Sequence, residues 1–391
     1  MNKIELIELI GRGEDSRTQF KQSQNLSNAK SLGGEMAAFA NGKGGQILIG
    51  VDDNGSITGL SLEDVRRINQ LISNTATDCV RPSINPQTDN ISIDGKLVMV
   101  VTIAEGISKP YADNDGVFWV KSGADKRRVT AREEIQRMLQ NSSLVHADEI
   151  LIERSSLDDI DLMYFGPFFE KNYGNTLEGF CESEGISFGQ LLNNLGLAQN
   201  ETLNLAGLML FGKNPQRYRP AFVVKAVSFL GNDCSGDEYR DSQDITGCLK
   251  VLYTETISFL TRNLRRVQNG QNFNTEGILE VNRSALEELV VNALLHRDYF
   301  VSAPWRMFIF ENRIEIISPG HLPNNLSLEN IRNGVSNIRN PLIASFATKQ
   351  LPYRGIGTGI RRALEKTPDL ELESDYDRNL FIARIPRRDT T

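Results

Sequence analysis

Residues 39–55, FANGKGGQILIGVDDNG, constrain this chain more than any other stretch. The apolar run QILIGVD stands between turn residues and has the length of a buried strand. The preceding residues 27–41, SNAKSLGGEMAAFAN, carry a helical apolar rhythm. A helix must therefore stop, and a strand begin, within Gly42–Gly45. Asp53-Asn54-Gly55 then turns the chain into SITGL.

The pattern continues in alternation up to residue 142. Thr18 opens TQFKQ, which reads as a strand. Ser61 and Asp64 have capping-box spacing at the start of a helix. Asp94-Gly95 joins ISI to KLVMVVTI as a hairpin turn pair. GVFWVKSG is a further strand, and TAREEIQRML a capped helix. Residues 143–215 read as mostly helical, and ISFGQLLNNLGLA with ETLNLAGLMLFG has a winged-helix cadence, a pattern shared by plain core hairpins. From 216 to 391, strands such as AFVVKAVSFLG, RMFIFEN and RIEIISPG alternate with helices such as SALEELVVNALLHRDY. The expectation is a mixed α/β (α+β) chain with parts at 1–142, 143–215 and 216–391.

Charge narrows the choices. Forty-three Lys and Arg stand against fifty Asp and Glu, a formal charge of −7. A generally basic nucleic-acid binder has the opposite sign, so any such contact must be a local patch. Four widely spaced cysteines form no CxxC pair, which fits reduced thiols and a cytoplasmic location. Three histidines exclude a His-rich metal site. No eighteen-residue apolar run occurs, so no membrane span is expected. The N-terminal residues lack the features of a signal peptide.

Two constellations can carry chemistry. In the first, Glu14 precedes the TQFKQ strand, Asp52 ends the QILIGVD strand, and Lys21 lies on the former. Carboxylates converging with a lysine at one sheet edge could hold Mg²⁺ or Mn²⁺ against a phosphodiester. The same spacing is equally that of carboxylates closing turns. Lys121, Lys126, Arg127 and Arg128, with Trp119 nearby, could clamp phosphates and stack on a base, or form a solvated turn beside a core tryptophan.

EDSRTQFKQ followed by FANGKGGQILIGVDDNGSITGL resembles the Schlafen AlbA-type domain over residues 3–140, continuing through Lys109-Pro110-Tyr111 and FWVKSG. The resemblance implies a nucleic-acid-handling module. Nucleases of that family carry two acidic residues before the Phe-Lys pair and one after the GG strand. The first and third correspond to Glu14 and Asp52, whereas the second is Gln19. An amide brings an oxygen but no negative charge, so cation binding and cleavage are weakened as expectations, and binding without cleavage gains.

In the second constellation, Glu288 and Asn292 lie four apart on one helix, hence on one face. Gly355, Gly357 and Gly359 in RGIGTGI permit close backbone approach to a phosphate at a helix start. EELVVNALLHRDY, NRIEIISPGHLP and RGIGTGI resemble a GHKL-like, RecG-type C-terminal domain, an α/β sandwich. In that family the Glu polarises water and the Asn helps hold Mg²⁺, which implies ATP as ligand, with Asn292 as a metal-side group. The adenine-reading DxGxG is here Ser318-Pro319-Gly320-His321, without its carboxylate.

Three functions stay open. The chain is expected as a nucleic-acid-binding transcriptional regulator with DNA or RNA as partner and self-association into a homo-oligomer. The alternatives are a metal-dependent ribonuclease acting on structured RNA such as tRNA, and an ATP-gated switch.

Overall fold

The computed structural model describes the chain except residues 27, 142–144, 236–237, 268–276, 324–325 and 388–391. It divides into two units, Met1–Val145 and His146–Thr391. The expected boundary at 142, and Ser27 of the expected helix, lie outside the described residues.

The first unit runs α1 (Lys3–Arg12), β1 (Thr18–Lys21), α2 (Ala29–Asn41), β2 (Gly45–Ile49), α3 (Leu62–Asp78), β3 (Val80–Arg81), β4 (Gln87–Ile93), β5 (Lys96–Ile103), β6 (Ala112–Asp113), β7 (Trp119–Ser122), β8 (Asp125–Arg128) and α4 (Arg132–Asn141). One sheet has the order β1-β2-β5-β4, with β1 parallel to β2 and the other pairs antiparallel. Alternate residues serve opposite faces. Ile47, Ile49, Met99 and Val101 join α2 and α3 in one core, while Leu48, Val98 and Val100 join Leu6 of α1 in another. Two covered faces explain why the sequence shows a continuous apolar run rather than alternation.

Local chemistry sets the joints. Asn28 caps α2 by accepting from the Ser31 N–H, and Ser61 with Asp64 forms the capping box of α3. Asp94 and Gly95, with φ of 50° and 83°, make the β4–β5 turn. At Gly45 a Cβ would overlap the Phe39 ring and stand 2.6 Å from the Arg17 carbonyl oxygen. The helix–strand joint thus closes only around glycine. Every residue of α2 from Leu32 to Ala40 is buried.

The second unit runs α5 (Leu162–Tyr173), α6 (Leu177–Glu184), α7 (Phe188–Asn194), β9 (Ala198–Gln199), β10 (Thr202–Leu203), α8 (Leu205–Phe211), β11 (Val224–Phe229), β12 (Tyr239–Ile245), α9 (Leu249–Asn263), β13 (Arg266–Val267), β14 (Ile278–Leu279), α10 (Arg283–Leu295), β15 (Trp305–Ile309), β16 (Arg313–Pro319), α11 (Leu328–Arg332), α12 (Pro341–Gln350), α13 (Gly359–Lys366), β17 (Glu371–Asp375) and β18 (Leu380–Pro386). Six strands form a sheet in the order β12-β11-β15-β16-β18-β17. Phe165, Leu192 and Phe211 pack into the same core as Leu249, Leu289, Trp305 and Phe346.

The winged-helix cadence resolves as α7, a β9–β10 hairpin and α8. All seven residues of α8 are buried, so that helix cannot enter a groove. Residues 172–212 contain no Lys or Arg. Cations carry most of the attraction to phosphates, so any contact from residues 172–212 would rest on neutral donors alone. Among the described residues no helix is long and apolar enough to cross a membrane.

Candidate functional site

In the first unit, the outer edge of β1 is closed by a side chain rather than by a strand. The Glu14 carboxylate accepts from the Phe20 N–H at 2.6 Å, satisfying a donor that an edge strand would leave exposed. The same oxygen accepts from the Gln19 side-chain amide. Gln19 in turn accepts from Lys121 Nζ at 2.8 Å. Lys121 also donates to the Ala124 carbonyl, lies 3.6 Å from Glu35 and stands over the Phe39 ring. Lys126 Nζ completes the set at 3.2 Å from the other Glu35 oxygen. Gln19 and Glu35 are 6% and 4% exposed, so the polar chain Glu14, Gln19, Lys121, Glu35, Lys126 is buried at its centre and partly exposed at its two ends. Burial pushes the Lys121 ammonium below its usual range, and Glu35 and Glu14 oppose that shift.

The structure therefore joins Glu14, Gln19 and Lys121. It leaves Asp52 with other partners: the Asp52 carboxylate accepts from the N–H groups of Asn54 and Ser56, at 3.2 and 2.8 Å, in its own turn. Among the described residues no group of three or more His, Cys, Asp and Glu is placed to hold a metal ion. The residues around Gln19 do not fit a divalent cation, because an ammonium already faces the amide oxygen.

The cations divide by how far they are committed. The Lys121 side chain is 5% exposed and held from within. Lys126 is spent on Glu35 and on the Ser31 carbonyl. Arg127 is bidentate with Glu134 at 3.0 and 2.6 Å. Arg128 is exposed over the Trp119 ring. Among the described residues neither it nor Lys21 has a carboxylate within ion-pair distance. The same holds of Arg17 and Lys43, exposed residues beside β1 and β2 that the sequence reading passed over. The Trp119 indole N–H donates to Asp113 at 2.8 Å. Burial would raise the Asp113 carboxyl, but this bond and the N–H groups of Val117 and Asp115 hold it below the usual range.

In the second unit, Glu288 and Asn292 meet the glycine loop across a cavity of about 110 Å³, lined also by His296, His321, Tyr353 and Arg354. That is several times the roughly 10–15 Å³ that one water needs. The Glu288 carboxylate accepts from the Asn292 amide and from Arg362, each at 2.9 Å. Gly359 makes the approach possible, because a Cβ there would overlap the carboxylate. Gly357 has φ +73° and packs on the Gly334 carbonyl. Burial, with Arg339 nearby, pushes His296 down to about 4, so the ring is neutral at pH 7. Arg339 donates to the His321 carbonyl at 2.8 Å. Ser318, in the place of the adenine-reading motif, donates to the Ala293 carbonyl at 3.1 Å.

Sequence reasoning missed Glu35, Arg362 and Arg339. A glutamate inside LGGEMAAFA was the one available signal, since a charge in a wholly apolar helix must be paired. Arg297 donates to the Val301 and Ala303 carbonyls and stands over Phe222.

A family model for the Schlafen AlbA_2 domain matches residues 14–130. A second, described as "Putative ATP-dependent DNA helicase recG C-terminal", matches residues 303–384, which takes in the glycine loop but not Glu288 or Asn292. Among solved structures, the chain is similar to the DIP2311 protein from Corynebacterium diphtheriae, at 18% identity and TM-score 0.47, covering 98% of this chain and 80% of that one. It is also similar to the N-terminal domain of the "Putative ATP-dependent DNA Helicase RecG-related Protein" from Nitrosomonas europaea, at 24% identity and TM-score 0.25, covering 34% and 96%. No curated protein matches the chain.

Proposed function

From a chain that carries a Schlafen AlbA_2 domain followed by a RecG C-terminal-type domain, we propose a nucleic-acid-binding regulatory protein, acting on transcription, with a nucleotide pocket in its second unit. The observation that carries the reading is the cavity itself. It unites two motifs far apart in sequence, Glu288 with Asn292 and Gly355 with Gly357 and Gly359. Cavities that combine apolar walls with a few polar groups are the usual form of a small-molecule site. Arg354 brings positive charge for phosphate to its lining, whereas Arg362 is paired with Glu288, beside Asn292.

ATP is the nucleotide class the family resemblance suggests. The residues for its phosphates are present, but the carboxylate that would accept from the adenine amino group is not. Base selectivity is therefore expected to be weak. Both Glu288 oxygens are engaged, which favours binding over hydrolysis. In the first unit Arg17, Lys21, Lys43 and Arg128 are cations without a carboxylate partner among the described residues, and could serve phosphates. Self-association belongs to the same reading, since it pools these cations in a chain of net negative charge.

The test is fluorescence anisotropy of labelled DNA and RNA with the full chain, at low and moderate salt, beside melting curves with and without ATP. Binding that weakens with salt, together with a nucleotide-dependent rise in melting temperature, is the expected result. No binding to any probe, or no melting shift, overturns the corresponding half.

A further inference from the structure

We infer that Lys121 is the resident cation of the first unit's edge site, and that this site works without a divalent metal. The side chain enters from β7 and ends where three protein oxygens converge: the Gln19 amide oxygen, the Ala124 carbonyl and a Glu35 carboxylate oxygen. An ammonium has three N–H donors and no acceptor; two are met by the Gln19 and Ala124 oxygens, and the Glu35 oxygen stands at ion-pair distance, 3.6 Å. These partners all come from the protein, which matches a side chain that is 5% exposed.

Charge supports the same assignment. Glu14 and Glu35 supply two negative charges, and Lys121 and Lys126 supply two positive ones. The set is neutral before any ion arrives. A divalent cation at Gln19 would stand beside a buried ammonium, and the charge of both carboxylates in the set is already offset by Lys121 and Lys126. Magnesium also demands near-octahedral oxygens at close range, whereas the Gln19 oxygen is already turned to a tetrahedral donor. Gln19 is then the residue this arrangement calls for. One end of its amide accepts from Lys121 and the other donates to Glu14, a relay that a carboxylate cannot provide.

The experiment uses the full chain and Mn²⁺ alone, with free Mn²⁺ followed by electron paramagnetic resonance. Four proteins are compared: wild type, Glu14→Gln, Lys121→Met, and Gln19→Glu with Lys121→Met. Circular dichroism checks that each is folded. The double substitution makes the site two charges more negative, the charge of the ion. Wild type and Glu14→Gln are expected to behave alike, and the double variant to bind Mn²⁺ at least about tenfold more tightly than wild type. Saturable binding by wild type that Glu14→Gln removes overturns the inference, and that comparison needs no Lys121 variant to fold. A folded double variant that gains no binding also overturns it. A second arm depends on the nucleic-acid reading. If the chain binds a DNA or RNA probe, chelation by EDTA should leave the affinity within about twofold. Loss of affinity on chelation overturns the inference, while failure to bind any probe counts only against the proposed function and leaves the Mn²⁺ comparison standing.

Discussion

The Glu288 carboxylate and the Arg362 guanidinium meet at 2.9 Å, joining residues 74 positions apart. Glu288 is nearly buried and Arg362 is 40% exposed. The pair therefore holds α13 against α10 at one end of the cavity, with Gly359 as the point of closest approach.

Adding a methyl group at that point should separate the two helices. Gly359→Ala is expected to cost about 1–3 kcal/mol, the range of overpacked sites, and to remove the nucleotide-dependent melting shift. Arg362→Met should cost less than about 1 kcal/mol, because solvent screens the pair, yet it should still reduce that shift. Chemical denaturation and melting curves with ATP measure both. Equal stability of Gly359→Ala and wild type would count against the close packing.

A different balance holds at Glu35. Glu35→Met strands Lys121 in the interior and takes one partner from Lys126. A loss of about 3–5 kcal/mol is expected for breaking a buried pair from one side. Glu35→Met combined with Lys121→Met should recover part of it, since no buried charge is then unpaired. Urea unfolding of the three proteins decides the matter, and a double variant weaker than the single one would contradict it.

Nucleic-acid affinity should follow commitment rather than charge. Arg17→Ala, Lys21→Ala and Arg128→Ala are each expected to weaken binding and to lower the salt slope by about one. Arg127→Ala should do less, because Glu134 already holds that guanidinium at 2.6 Å. Anisotropy titrations across a salt series give the slopes. A dominant effect from Arg127 would reverse the ranking.

Acid should weaken the second unit through His296. Its folded value of about 4 lies below the ordinary 6.5. A depressed value means that the unfolded chain binds the proton more readily. The stabilising contribution is thus complete above about pH 6.5 and is lost as pH falls towards 4, by about 3 kcal/mol in all. His296→Gln should flatten the stability profile across that window, as read by denaturation at pH 7.5, 6 and 5. An unchanged slope would mean that other groups set it.

The strand Gly45–Ile49 was legible because both its faces are covered, which turns burial into an uninterrupted apolar string. Glu288 with Asn292 was legible because helical spacing fixes a face. Arg362 was not, because nothing local ties α13 to α10. Lys121 shows a different failure. Its charge was visible in sequence but its burial was not, so a cation held from within read as one offered to phosphate. Gln19 was legible as a departure from the family pattern. Why an amide suits the position appears only with Lys121 on its other side.

The burial of α2 along Leu32–Ala40 has a consequence for timing. Amide protons of such a segment are expected to exchange only when the unit opens, which would place Glu35 on one of its slowest parts to open. Lys121 and Gln19 inherit that stillness. On the proposed nucleic-acid reading, a partner at this edge would meet a surface already set and would have to supply any bending itself.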